Sequence, residues 1–281
     1  MSRIQDILRK AERDGDVHRT RGLASPPPVE WNPGLSQEAE RPAIVARAAV
    51  LDQPATELDP RLVAAFAPQC LAAEQYRSLR TRIKNAENGR PLRTIVITSP
   101  NRGDGKSLTA ANLALTMAQD FQQRVVLVDG DLRRPTVHRL FGVPPTLGLS
   151  SVLTEGIAVE DALVTIADRR LTVLPAGPIP SHPAELLGSV AMRRVLETLR
   201  SGFDRILIDM PPAVPLADVA IASSMADGIL MIVRADVTKK PAIERALTAL
   251  DQSKVLGLVL NDAGDTGAGY YGYDRDGYVA D

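Results

Sequence analysis

The chain has 281 residues, 33 basic and 34 acidic side chains, and a formal net charge of −1. A content of 44% hydrophobic and 24% charged residues is that of a folded globular protein of one or two domains, which excludes a wholly disordered chain. Near-neutral charge gives no global case for a nucleic-acid partner, the single cysteine (Cys70) excludes an intramolecular disulfide, and three histidines argue against a metal cluster.

Residues 3–14 read as a short amphipathic helix within an N-terminal segment, 1–20. Ile4, Ile7, Leu8 and Ala11 share one face. Its role stays open between docking and a frayed terminus. No run approaches about 18 apolar residues, so no membrane span is expected, and Met1 to Lys10 lacks an apolar signal core; the cytoplasm is the expected compartment. Residues 21–70 hold eight of the 21 prolines, which resist both helix and sheet, so 21–65 reads as a linker. A short helix is expected near 60–66.

From Leu71 the pattern changes. A helix is expected over 71–87, then an apolar run at 94–98, a glycine-containing loop and a helix over 106–118. Further buried-type runs lie at 125–128, 171–174, 205–208, 228–233 and 255–260. They are rich in Val, Ile and Leu and mostly do not alternate, as in strands covered on both faces. Helical stretches at 183–200, 215–225 and 240–253 separate several of them. Strands alternating with helices predict an α/β fold, a doubly wound, mostly parallel sheet, over 66–263.

The sharpest local pattern is Ser99-Pro100-Asn101-Arg102-Gly103-Asp104-Gly105-Lys106-Ser107, between an expected strand and an expected helix. Gly103 and Gly105 let backbone N–H groups turn toward phosphate oxygens, and the helix N-terminus adds partial positive charge. Lys106 can reach β- and γ-phosphates, and the Ser107 hydroxyl can ligate Mg²⁺. Gly103, Asp104, Gly105, Lys106, Ser107 and Leu108 form the expected nucleotide-binding stretch. Pro100 stands where the strict pattern has glycine, so this is a variant loop.

Two later apolar runs end in aspartate: 125–128 leads into Asp129-Gly130-Asp131, and 206–208 into Asp209. Carboxylates at the C-terminal ends of neighbouring parallel strands converge on the crevice where ligands bind. At the other end, Tyr270, Tyr271, Tyr273 and Tyr278, four of the five tyrosines, lie in the last 12 residues. Residues 264–281 also carry five glycines and four aspartates, so a flexible tail is expected.

These motifs resemble those of the bacterial tyrosine kinases of the soluble type, associated with exopolysaccharide synthesis. SPNRGDGKS is similar to that family's phosphate loop, VVLVDGDLR to its extra aspartate motif and ILIDMPP to its second acidic strand. The resemblance covers about residues 70–281. A weaker likeness of the N-terminal part is to the exosortase-linked form. The resemblance implies a P-loop NTPase fold of the MinD/ParA-like group, with ATP and Mg²⁺ as cofactors. Lys106 would bind phosphate, Ser107, Asp131 and Asp209 would support Mg²⁺, and Asp129 would be the base for a tyrosine hydroxyl, although Asp129 and Asp131 are not separated by sequence. The four tail tyrosines would be phosphoacceptors.

The resemblance further implies that Glu74, Arg77 and Arg80, spaced by three on one helix, make a head-to-tail contact closing a homo-oligomeric ring. Their other reading is a simple i,i+3 ion pair. A membrane polysaccharide co-polymerase would be the activator, placing the chain peripherally at the inner face of the plasma membrane. Asn261 would face adenine or serve as a turn residue, and Arg133 would position the Asp129 loop or sit in a subunit contact. The alternative is a ParA/MinD-like ATPase or a nucleotide switch without kinase activity. Those ATPases usually carry a lysine where this chain has Asn101.

Overall fold

Alternating residues of β2 (Thr94–Thr98) feed two different cores: Ile95 and Ile97 pack in one, Val96 in the other. The same division runs along β3 (Val125–Asp129) and β6 (Arg205–Asp209), which explains why these strands read as continuous apolar runs. The computed structural model describes residues 44, 48–51, 58–87, 89–120, 123–166, 170–215 and 217–264. The expected helix at 3–14, much of the expected linker and the four tail tyrosines lie outside the described residues.

The described strands form one eight-stranded sheet in the order β1-β4-β5-β3-β6-β2-β7-β8. Its remaining strands are β1 (Ala49–Leu51), β4 (Val164–Ile166), β5 (Leu171–Leu174), β7 (Gly228–Arg234) and β8 (Val255–Asn261). From β5 to β8 all neighbours are parallel; only β4 runs antiparallel to β5. On one face lie α1 (Val63–Phe66), α2 (Leu71–Asn85), α3 (Lys106–Ala118) and α4 (Val137–Leu140). On the other lie α5 (Leu149–Glu155), α6 (Val159–Ala162), α7 (Pro183–Leu187), α8 (Val190–Gly202), α9 (Asp218–Ser224) and α10 (Lys240–Thr248). This is the doubly wound, mostly parallel sheet expected from the sequence.

Helix α3 is apolar almost all round, with Thr109 to Ala118 buried, because the sheet covers one side and α1 and α2 the other. Its alanines let it sit close to the sheet, and Asn112 satisfies its buried amide on Ala64 N–H, Arg61 O and Leu108 O.

Several expected boundaries shift. The linker expected over 21–65 contains β1, which pairs with β4, and Leu58 and Leu62 are buried. Strands of three residues, β1 at the sheet edge and β4 beside it, are too short for periodicity to reveal. The helix expected over 183–200 is two helices, broken at Gly188-Ser189, where the Ser189 hydroxyl accepts from Met192 N–H at 3.1 Å and caps α8. The helix expected over 215–225 begins only at Asp218, after Pro211, Pro212 and Pro215. That expected over 240–253 stops at Thr248, and a 3₁₀ turn at Gln252–Lys254 follows.

Candidate active site

β2 feeds β3 on one side of the sheet through α3, whereas β6 feeds β7 on the other. The crevice at the ends of these four strands is therefore a topological switch point, where open α/β sheets bind ligands. The loop 99–105 leaves β2 there, and Gly103 and Gly105 take φ of +89° and +92°. A side chain on Gly105 would also collide with the Asn261 amide. Both observations require glycine at this position. Gly105 caps α3, whose N-terminal N–H groups open onto the crevice.

Lys106 sits at the centre. Its Nζ lies 2.9 Å from Asp131 Oδ2 and 3.5 Å from Asp209 Oδ1, and donates to Ser107 Oγ at 3.2 Å. Burial disfavours the ammonium, but Asp209 and Asp131 outweigh it and hold its pKa above the ordinary lysine value. Asp209 is fully buried, and its Oδ2 has no hydrogen-bond partner. Burial raises the Asp209 pKa, opposed mainly by Lys106.

Asp129 stands directly beside Asp209 in the β3–β6 register. Its Oδ1 accepts from Asp131 N–H at 3.2 Å, and its Oδ2 from Thr136 and Val137 N–H at 3.1 and 3.0 Å. Asp129 thus shapes the loop that carries Asp131. Burial, reinforced by Asp209, pushes it up to about 7 despite the Val137 N–H and Lys106. Gly130 between them permits close approach: a Cβ there would lie 2.5 Å from Met210 Sδ.

The structure brings Lys106, Ser107, Asp129, Asp131 and Asp209 together, with Gly103, Asp104 and Gly105 in the adjoining loop. Leu108 packs against the core cluster of α3. Asn261 donates its Nδ2 to the Asp104 carbonyl at 3.0 Å, so that donor serves the loop itself. Arg133 pairs with buried Asp218 at the start of α9, Nε to Oδ2 at 2.7 Å and Nη2 to Oδ1 at 3.1 Å, and so ties the Asp131 loop to the far face. Asp218 and Thr238, whose hydroxyl donates to Asp104 Oδ1 at 2.7 Å, escaped sequence reading. Only the strand order could have pointed to Thr238, since the β7 loop emerges next to that of β2.

Glu74 and Arg77 form the i,i+3 pair at 2.6 Å, whereas Arg80 turns inward and donates to Thr116 O at 2.9 Å. Arg80, Lys84, Asp120 and Arg205 help line a cavity of about 250 Å³, which shares no residue with the phosphate loop.

Residues 91–266 match the ParA family, described as a NUBPL iron-transfer P-loop NTPase. The chain is 39% identical over 214 residues to the tyrosine-protein kinase YwqD of Bacillus subtilis (strain 168), covering 75% of this chain and 90% of the relative. Its structure is similar to the kinase domain of the Escherichia coli tyrosine kinase ETK, with a TM-score of 0.71 and 27% identity, over 80% of this chain and 88% of that one. It is also similar to the chimerical protein CapA2B2, with a TM-score of 0.68 and 31% identity, over 75% and 92%.

Proposed function

The chain belongs to the bacterial tyrosine-protein kinases, on the ParA-type P-loop fold, and we propose that it is an autokinase that phosphorylates Tyr270, Tyr271, Tyr273 and Tyr278 and thereby regulates exopolysaccharide synthesis or export. The observation that carries this reading is Lys106 lodged between Asp131 and Asp209 at the mouth of the phosphate loop.

The residues present fit Mg²⁺. Among the described residues no three His, Cys, Asp or Glu side chains form a preformed cage. The donors are instead a hydroxyl, Ser107, and carboxylates of Asp131 and Asp209, including the orphaned Asp209 Oδ2, which suits an ion that keeps several waters and phosphate ligands. When bound, Mg²⁺ neutralises charge on the phosphates. Lys106 exchanges its carboxylate partners for phosphate oxygens, and the α3 N-terminus binds phosphate through its N–H groups. The tyrosine oxygen forms its bond to the γ-phosphorus as the bond to the ADP oxygen breaks, and the phenolic proton passes to Asp129. Asp129 is fully buried in the ligand-free site, so its loop must open for the tyrosine to reach it.

Further parts of the proposal rest on the family resemblance. The tail of one subunit enters its neighbour's site in a ring closed through Glu74, Arg77 and Arg80, and a membrane polysaccharide co-polymerase supplies an activating segment that holds the chain at the membrane.

The test is intact-mass and peptide mass spectrometry after incubation with ATP and Mg²⁺, with and without a candidate activator segment. Phosphate on the four tail tyrosines, absent in Lys106→Met and in a chain lacking 270–281, is the expected result. ATP hydrolysis without phosphotyrosine in the presence of activator would favour the ATPase or nucleotide-switch reading, which the ParA match also admits.

A further inference from the structure

We propose that Thr238 is a positioning residue for the phosphate loop, holding it in its nucleotide-binding shape through Asp104; this rests on the reading of residues 103–108 as the nucleotide site. The turn after β7 is built to present one hydroxyl. Asp236 takes the left-handed conformation at φ +56°, and Thr238 N–H donates back to Arg234 O at 3.0 Å. The Thr238 Oγ1 accepts from Arg234 N–H at 3.2 Å. Its single proton is thereby directed outward, to Asp104 Oδ1 at 2.7 Å.

Asp104 is only 2% exposed, and a buried carboxylate needs hydrogen-bond donors. It has two: the Thr238 hydroxyl on one oxygen and the Asn101 N–H, at 2.8 Å, on the other. Its carbonyl is held separately by Asn261 Nδ2 at 3.0 Å. Three bonds from three segments, β7–α10, β8 and the start of the loop itself, converge on one residue. That residue lies between Gly103 and Gly105, both at positive φ and the most conformationally free positions of the loop. Fixing the peptides between them before nucleotide arrives lowers the ordering cost of binding. Thr238 acts through Asp104, because its hydroxyl is already committed to Arg234 and Asp104.

The test compares Thr238→Val, which keeps the shape and removes the hydroxyl, with Thr238→Ser, which keeps the hydroxyl. The readouts are the Kd for Mg·ADP by calorimetry, KM and kcat for ATP, and the unfolding curve of the ligand-free full chain. In Thr238→Val, Kd and KM are expected to rise about tenfold, equivalent to about 1.4 kcal/mol, with kcat within about twofold. Thr238→Ser is expected within about twofold of the parent on every readout. A folded Thr238→Val that binds Mg·ADP like the parent overturns the proposal, as does a Thr238→Ser as weak as Thr238→Val. Should Thr238→Val not fold, Thr238→Ala, which also removes the hydroxyl, serves instead, and an unchanged Kd for Mg·ADP in it overturns the proposal. ADP binding is read without phosphoryl transfer, so a failure of tail phosphorylation leaves this result standing.

Discussion

Asp129 and Asp209 face each other in register at the ends of β3 and β6, and neither carboxylate is exposed to solvent. Two carboxylates so placed raise each other's cost of ionisation, and Lys106, which partners Asp131 and Asp209, offsets only part of it. Lys106 is thus the cation that holds this ligand-free cluster together.

A pH dependence of stability follows. The Asp129 pKa is raised from 3.8 to about 7 on folding, so between those values the folded chain binds the extra proton. Its stabilising effect is complete below the unfolded pKa and is lost as pH rises through about 7. Burial moves Asp209 in the same direction. Ligand-free protein should therefore melt at progressively lower temperature from about pH 4 to pH 7, with Asp129 contributing at most about 4 kcal/mol across that window. Asp129→Asn should flatten the curve. An equally steep decline in that variant, followed by thermal denaturation, would remove Asp129 as its source.

Gly130 leaves no room for a side chain, because Met210 occupies the space where a Cβ would go. Gly130→Ala should destabilise the fold by about 1–3 kcal/mol and displace the Asp129–Asp131 turn. Trimming the neighbour gives the control: Met210→Ala in the same chain should recover part of that loss, read as a coupling in a double-mutant cycle by chemical denaturation. Additive losses would show that the two residues do not compete for the space.

Arg133 is partly exposed, yet its partner Asp218 is buried. Removing the cation strands a carboxylate in the interior. Arg133→Ala should cost about 2–3 kcal/mol, less than a fully buried pair because water reaches the guanidinium. Replacing both residues, as Arg133→Ala with Asp218→Asn, should cost less than Arg133→Ala alone. A double variant that is less stable than the single one would contradict this account.

Local patterns made most of this molecule legible. The runs of β2, β3, β5, β6, β7 and β8 are apolar on both faces because helices cover both faces, and that appears in the sequence itself. The phosphate loop and its aspartates read similarly well, since strand, loop and helix are contiguous there. What could not be read are pairings across long sequence separations. Arg133 meets Asp218 85 residues away, and Thr238 meets Asp104 134 residues away. Both depend on strand order, which periodicity does not encode. Asn261 shows the same limit, since its place at a strand end was legible but its grip on the Asp104 carbonyl was not. The Ser189 cap after Gly188 was a readable signal, and the apolar pattern running through it concealed the break.

The Glu74–Arg77 pair separates monomer stability from assembly. Within one chain it is an i,i+3 pair with Glu74 well exposed, which is worth no more than about 0.5 kcal/mol. Arg80, by contrast, is engaged with the Thr116 carbonyl at the end of α3, so its truncation disturbs the monomer as well. Glu74→Ala is therefore the cleaner probe of the proposed ring. At a concentration where the parent is monomeric it should leave the unfolding midpoint nearly unchanged, while at higher concentration sedimentation shifts from oligomer to monomer. Phosphorylation of tail tyrosines should fall with the shift if one subunit's tail enters its neighbour's site. An unchanged sedimentation profile would remove Glu74 from the contact. A monomer that still phosphorylates its own tail at the parent rate, independent of protein concentration, would show transfer within one chain instead.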